Sequence, residues 1–251
     1  MQQQDARQRP GGNFLSARGI HQRFGALVVL EDLDFSMGDG DAVGIVGPNG
    51  AGKTTLLSVL AGAFPPSAGT ITFNGMDVTA LSAADRCRSG LVRTHQIPKP
   101  FVGMTTFENV FVAAAHGAGI SRDEAYERAV DSLTLCCMLS VANRRADTLG
   151  LLDRKRLELA RALATKPRLL LLDEIGGGLT DGEASELVET ILELRRRGIG
   201  IVWIEHIVHI LLQVAERLIC MDAGKIIADG EPKAVMSNAE VVKAYLGGTP
   251  A

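Results

Sequence analysis

Residues Gly47 to Thr55 read Gly-Pro-Asn-Gly-Ala-Gly-Lys-Thr-Thr, between an apolar run (Ala42 to Val46) and the stretch LLSVLAGA. This matches the pattern G-x-x-x-x-G-K-[ST], and the flanks predict a buried strand before it and a helix after it. Few other short segments fix so much of a fold. The glycines let successive backbone N–H groups curl around phosphate oxygens, and the following helix N-terminus adds favourable partial charge. In such a loop Lys53 supplies positive charge to the β- and γ-phosphates, and the Thr54 hydroxyl is placed to ligate Mg²⁺. The residues expected to hold ATP are therefore Gly47, Pro48, Asn49, Gly50, Ala51, Gly52, Lys53, Thr54 and Thr55.

The segments around this loop point to one α/β domain. Residues 14–46 alternate short apolar runs with turn signals, MGDGD among them, as strands do. GTITFNG reads as a further strand, and LSAADRCRSG as a short helix closed by a glycine. From about 104 to 165 the pattern is helical: Ser121-Arg-Asp-Glu124 is a capping box, predicting a helix through Leu139, and a second helix spans about 153–165 before Pro167. RLLLLD and GIGIVWIE then read as buried strands, separated by a helix that Thr180-Asp-Gly-Glu183 caps and that runs to about Arg197. This order predicts a parallel sheet preceded by an antiparallel β region, with a helical subdomain (about 98–165) spliced into the core. The domain is expected over residues 14–248.

Asp173 and Glu174 close the apolar run RLLLLDE, at the strand end where open parallel sheets bind ligands. With a phosphate loop in the same chain, Asp173 is the candidate Mg²⁺ ligand and Glu174 the group that orients or polarises water.

Composition bounds the remaining possibilities. The chain has 251 residues, 46% hydrophobic and 22% charged, with a formal net charge of −3. It lacks the basic excess of a general nucleic-acid binder, and no nucleic-acid partner is expected. No stretch reaches the ~18 apolar residues of a membrane helix, and the polar opening MQQQDARQRPGGN reads as a disordered tail over residues 1–13, not as a secretory signal. These features predict an intracellular protein that reaches a membrane only through a partner. The four cysteines (Cys87, Cys136, Cys137, Cys220) show no metal-type spacing; Cys136 and Cys137 read as small core residues in a reducing compartment.

From residue 14 to about 248 the chain resembles the ATP-binding subunits of ABC transporters. The resemblance implies an ATP hydrolase, with ATP and Mg²⁺ bound, working on the inner face of the cell membrane. It implies as partners a second ATPase subunit, membrane-spanning permease subunits and, indirectly, an extracytoplasmic substrate-binding protein. RTHQ resembles the family's glutamine loop and places Gln96 near Mg²⁺ and the lytic water. WIEH resembles the switch that ends in His206, a donor to the γ-phosphate; on its own His206 would read as an ordinary surface or core histidine, as His209 does. Phe24 in RFGALVVL resembles the aromatic that stacks on adenine, with core packing as the alternative. Gly177-Gly-Leu-Thr180 aligns with the loop that reports across the family's dimer interface. RTHQIPKPFVGMTTFENV, ARALATKPRLLLLDE, GLTDGE and VVKAYLG are similar to branched-chain amino acid importer ATPases, a class whose substrates include other amino acids and small amides. The proline-marked Ile97 to Phe107 falls where the family receives a short helix of the membrane subunit.

One motif departs from the family. Where a serine-glycine-glycine signature is expected, the chain reads Leu149-Gly-Leu-Leu-Asp-Arg-Lys-Arg156. Gly150 lacks the hydroxyl, Leu152 adds a side chain where backbone approaches phosphate, and Asp153 brings negative charge. Arg154, Lys155 and Arg156 read either as a partial offset or as a solvated helix face. Because family members pair head to tail, the departure would impair the partner's site, which predicts a heterodimer. Ile175 replaces the usual proline after Asp-Glu without removing a catalytic group. Two other readings are a soluble ATPase of the same fold, which would carry tandem domains or a long coiled-coil insert, and a non-hydrolysing nucleotide-binding regulator.

Overall fold

The computed structural model describes residues 13–246. Apart from Asn13, the tail expected at the N-terminus and the expected domain end at residue 248 lie outside them. The chain opens with two long antiparallel strands, β1 (Leu15–Phe24) and β2 (Leu27–Met37). β3 (Ala42–Val46) and α1 (Lys53–Leu60) follow, then β4 (Ala68–Phe73) and β5 (Met76–Asp77). Four of these strands form an antiparallel sheet in the order β2-β1-β4-β5.

α2 (Ala83–Arg88) and β6 (Leu91–Arg93) lead into a helical insert of α3 (Thr106–Gly117), α4 (Arg122–Leu135) and α5 (Leu151–Ala164). The chain then alternates: β7 (Leu169–Asp173), α6 (Asp181–Arg196), β8 (Gly200–Ile204), α7 (Val208–Val214), β9 (Arg217–Asp222), β10 (Lys225–Gly230), α8 (Pro232–Met236) and α9 (Ala239–Leu246). The second sheet runs β10-β9-β3-β8-β7-β6, parallel throughout except for the β9–β10 pair.

β3, β7 and β8 are buried on both faces, which explains why their sequences are continuously apolar rather than alternating. Successive side chains still point to opposite faces. Val43, Ile45, Leu169, Leu171, Val202 and Ile204 pack toward the antiparallel sheet and α1. Ala42, Val46, Leu170, Leu172, Ile201 and Trp203 pack toward the helices. Gly44 faces that second side, where a Cβ would come within 2.8 Å of Leu211. Because the three strands run parallel, their C-terminal ends open on one edge, and there the phosphate loop, Asp173-Glu174 and Glu205-His206 emerge together.

The insert is built from local signals. Thr105 with Glu108, and Ser121 with Glu124, close reciprocal capping boxes on α3 and α4, as Thr180 and Glu183 do on α6. α4 is shorter than its sequence predicts, ending at Leu135 rather than Leu139. Cys137 takes a left-handed conformation (φ 57°), while the Met138 and Cys137 N–H groups bond Leu133 O at 2.7 Å and Thr134 O at 3.0 Å. That is a Schellman stop with cysteine in the place glycine usually takes, which hides it from a pattern reading. It also separates the two cysteines: Cys136 is buried in the core, as expected, but Cys137 is exposed.

Candidate active site

The loop before α1 has the backbone that its sequence demands. Gly50 and Gly52 have positive φ (82° and 96°), and a Cβ on Gly52 would meet Leu30 at 2.8 Å and Val29 O at 3.0 Å. Lys53 folds back over the loop, donating to Gly47 O at 2.7 Å and Pro48 O at 2.9 Å. Burial holds its ammonium below the ordinary lysine value, opposed by the negative charge of Glu174 and Asp173. The Gly47 N–H donates to the Tyr245 hydroxyl of α9 at 2.8 Å, so the C-terminal helix touches the first residue of the loop.

Asp173 ends β7, buried beneath α1. Its Oδ1 accepts from the Thr54 hydroxyl at 3.4 Å, and its Oδ2 pairs with Arg93 at 2.7 Å. Arg93 ends β6 and also donates to Ser58 Oγ at 2.8 Å. Glu174, the next residue, lies above the sheet edge between two donors. His206 Nε2 is 2.8 Å from its Oε1, and Gln96 Nε2 donates to its Oε2. Residues 78 and 32 positions away in sequence from Glu174 thus meet on one carboxylate.

Phe24 stands at the tip of the antiparallel sheet, 49% exposed and edge-on to Phe64 at 5.4 Å between centroids. Its position is that of an available ring rather than a core residue. His209 is likewise exposed.

The segment in the signature position caps α5 poorly. Gly150 is the N-cap and makes no side-chain cap bond, Leu151 is 48% exposed, and Asp153 lies in the first turn. The basic run that follows is only in part a solvated helix face: Arg154 is exposed, whereas Lys155 and Arg156 are not. Arg154 Nε donates to Leu149 O at 2.9 Å, Lys155 is buried, and Arg156 pairs with Glu186 while lying 4.0 Å from Asp153. Pattern alone missed this because consecutive residues of α5, about 100° apart around the helix, meet different neighbours: the loop before it, the turn after β7, and α6. Arg93, Glu205 and Tyr245 are site neighbours that sequence left unmarked, and Lys155 was marked only as part of the basic run; each acts through a contact spanning at least 19 positions, and no local motif carries it.

The loop after Gln96 is apolar and open. Ile97, Phe101, Val102 and Met104 are exposed, and Phe101 is pinned from two sides. The buried Asn109 side chain exchanges bonds with the Phe101 backbone (2.8 and 3.1 Å), and the Arg161 guanidinium lies 5.1 Å over its ring while donating to Lys99 O. Nearby, Phe107, Phe111, Arg122, Asp123 and Tyr126 line a cavity of ≈ 270 Å³ between α3 and α4.

A sequence model of the ABC transporter ATP-binding domain matches residues 30–176. The chain belongs to that family. It is an ATP-hydrolysing, nucleotide-binding transporter subunit, and a model described as "branched-chain amino acid ATP-binding cassette transporter" matches residues 225–251. The chain is 35% identical over 249 residues to LivG of Salmonella typhimurium, a high-affinity branched-chain amino acid transport ATP-binding protein, with 93% of this chain and 98% of LivG covered. It is 34% identical to LptB of Acidithiobacillus ferridurans, a lipopolysaccharide export system ATP-binding protein, over 93% of this chain and 97% of LptB. Among solved structures, the ADP conformation of MJ1267, an ATP-binding cassette of an ABC transporter, superposes with a TM-score of 0.85 at 31% identity, covering 94% of this chain and all of MJ1267. The α/β fold with its spliced helical insert is that of these cassettes. Among the described residues no helix is long and apolar enough to cross a membrane.

Proposed function

We propose that this subunit energises uptake of branched-chain amino acids, or of related small amino acids and amides, from the inner face of the cell membrane, as half of an ATPase heterodimer. The observation that carries the catalytic part of this reading is the meeting of Gln96, Glu174 and His206 beside the phosphate loop. ATP would lie with its phosphates on the backbone N–H groups of the loop from Asn49 to Thr55 and its adenine against Phe24. Lys53 would leave the loop carbonyls for the β- and γ-phosphate oxygens. Glu174 would orient the attacking water in line with the γ-phosphorus. The new P–O bond forms as the bond to the β-phosphate oxygen breaks, and His206 donates to the γ-phosphate as charge spreads over it.

Mg²⁺ fits the residues present. The Thr54 hydroxyl and an Asp173 oxygen stand 3.4 Å apart, hard oxygen donors of the kind that Mg²⁺ takes together with phosphates and water, and Gln96, whose amide nitrogen bonds Glu174, would offer its amide oxygen as a third. When bound, it neutralises charge on the β- and γ-phosphates.

The signature segment supports pairing with a different ATPase. Two copies of this chain would each offer the other Gly150, Leu152 and Asp153 at the γ-phosphate, whereas a partner with an intact signature would complete the site formed by Lys53, Glu174 and His206. The exposed loop from Ile97 to Met104 is the surface we assign to the permease, and the extracytoplasmic substrate-binding protein acts through that permease. Branched-chain amino acids are preferred to lipopolysaccharide as cargo because the C-terminal match and LivG both carry that description, and uptake is the direction that the sequence resemblance implies.

The mass of the full-length Glu174→Gln variant, with and without Mg-ATP, tests the pairing. This variant is expected to bind ATP, stall before hydrolysis and remain monomeric. An ATP-dependent homodimer would show that the altered signature still grips the γ-phosphate, and the heterodimer reading would fall.

A further inference from the structure

We propose that Glu205 and Lys155 are positioning residues for Glu174: a buried, oppositely charged pair that holds the left-handed turn on which this carboxylate is presented. The proposal rests on the reading that Glu174 directs the attacking water. Glu174 has φ 48°, a left-handed backbone that a side chain longer than Asn or Asp rarely adopts. Such a conformation persists only where its surroundings over-determine it.

Those surroundings are specific. The Glu174 N–H is fixed by Ile204 O at 2.9 Å, within the sheet. Its carbonyl receives the Lys155 ammonium at 3.4 Å, from the first turns of α5. Two residues on, the Gly176 N–H donates to Glu205 Oε1 at 2.5 Å, and the same oxygen accepts from the Trp203 indole N–H at 3.2 Å. Gly176 permits this approach, since a Cβ there would stand 2.9 Å from Glu205 Oε1.

Glu205 is 2% exposed and Lys155 5%. Neither charge has solvent to stabilise it, and each lowers the cost of burying the other. Burial raises the Glu205 carboxyl above its ordinary value, and the Gly176, Trp203 and His206 N–H groups and the Lys155 charge pull it back. Burial lowers the Lys155 ammonium, and Glu205 and then Glu174 pull it up. The pair thus joins three elements of the site around one strained peptide: α5, which carries the signature segment, the turn after β7, and the end of β8 from which His206 emerges.

The test uses the full-length chain and the complex captured with it. Glu205→Gln keeps shape and one acceptor oxygen but removes charge; Lys155→Met keeps length without charge. Amide hydrogen exchange, Mg-ATP affinity and steady-state turnover are compared with the parent. In each variant, exchange at residues 175–178 should quicken about tenfold and kcat should fall about tenfold, with KM and Mg-ATP affinity within about twofold and the phosphate loop equally protected. The joint variant K155M/E205Q should regain part of the protection lost in K155M, because no unpaired buried charge remains.

Parent-like exchange and turnover in both single variants would overturn the proposal. So would a loss of protection that extends to the phosphate loop, which marks general destabilisation. Glu174→Gln separates this from the reading beneath it: undiminished turnover in that variant removes the role of Glu174, while stalled turnover with parent-like E205Q and K155M removes the pair alone.

Discussion

The two surfaces of this subunit that would face nucleotide are built to different standards. On the phosphate-loop side the charged groups that would meet nucleotide and metal are each held by a partner. Lys53 rests on loop carbonyls, Asp173 is shared by Thr54 and Arg93, and Glu174 is held between Gln96 and His206. On the signature side, Gly150 caps α5 without a side chain, Leu151 is exposed, and the basic residues that follow bond Leu149 O, the Glu174 carbonyl and Glu186, with Arg154 alone of the three exposed. The charges of α5 brace the chain's own fold and leave little to offer a phosphate. A helix N-terminus still carries partial positive charge, but Asp153 in its first turn competes for it. On the pairing proposed above, this cassette keeps its own half-site and lends its partner an altered one.

The largest expected effect comes from repairing the weaker surface. A chain carrying Gly150→Ser, Leu152→Gly and Asp153→Gln recovers the hydroxyl, the close backbone approach and a neutral first turn. With Glu174→Gln in the background, Mg-ATP should drive this chain into a homodimer at a concentration about a hundredfold below that of the unrepaired one, on the order of two or three strong charge-assisted hydrogen bonds per interface. Sedimentation with and without nucleotide reads the shift. Equal behaviour of repaired and unrepaired chains would erase the contrast between the two surfaces.

How much of this was legible in sequence follows the range of the interactions. The phosphate loop, the buried strands and the capping boxes are local, and residue type with spacing specifies them; Thr180 and Glu183 cap α6 as their pattern predicts. The end of α4 was misread because Cys137 takes a conformation that pattern rules reserve for glycine. Arg154, Lys155 and Arg156 read either as a partial offset or as a solvated face, because a charge run carries no sign of what it will meet. Arg93 and Tyr245 lie 80 and 198 residues from the groups they bond, and only the strand order brings them there.

α5 also sharpens the comparison at its other end. Arg161, on the last turns of the same helix, fastens the exposed loop after Gln96 through Lys99 O, Glu158 and the Phe101 ring. A charge at the tip of that loop should spoil docking of a permease without touching the phosphate loop. Phe101→Asp, 46% exposed in the parent, is expected to cut transport about tenfold, roughly the cost of burying one unpaired charge at an interface edge. Mg-ATP affinity should be unchanged. Transport at the parent rate would leave this loop as an ordinary connection, and the helix with one working end fewer.

The smallest effect tests the strong surface at its edge, farthest from the charges. Phe24 gains no core packing beyond its edge contact with Phe64, and its ring is half open. Replacing it with alanine therefore removes little from the fold, and thermal stability should stay close to that of the parent. What it removes is a π-face for adenine, whose stacking is worth ~1–3 kcal/mol per base; with the ring already half open, the low end applies and ATP affinity should fall about fivefold. Phe24→Leu keeps the apolar area without the aromatic face and should recover only part of the loss. Inorganic triphosphate, which has no base, should bind parent and variant alike if the phosphate loop works independently of the ring. A matching loss for triphosphate would mean that Phe24 acts by shaping the loop rather than by stacking, and the division of labour on this surface would have to be redrawn.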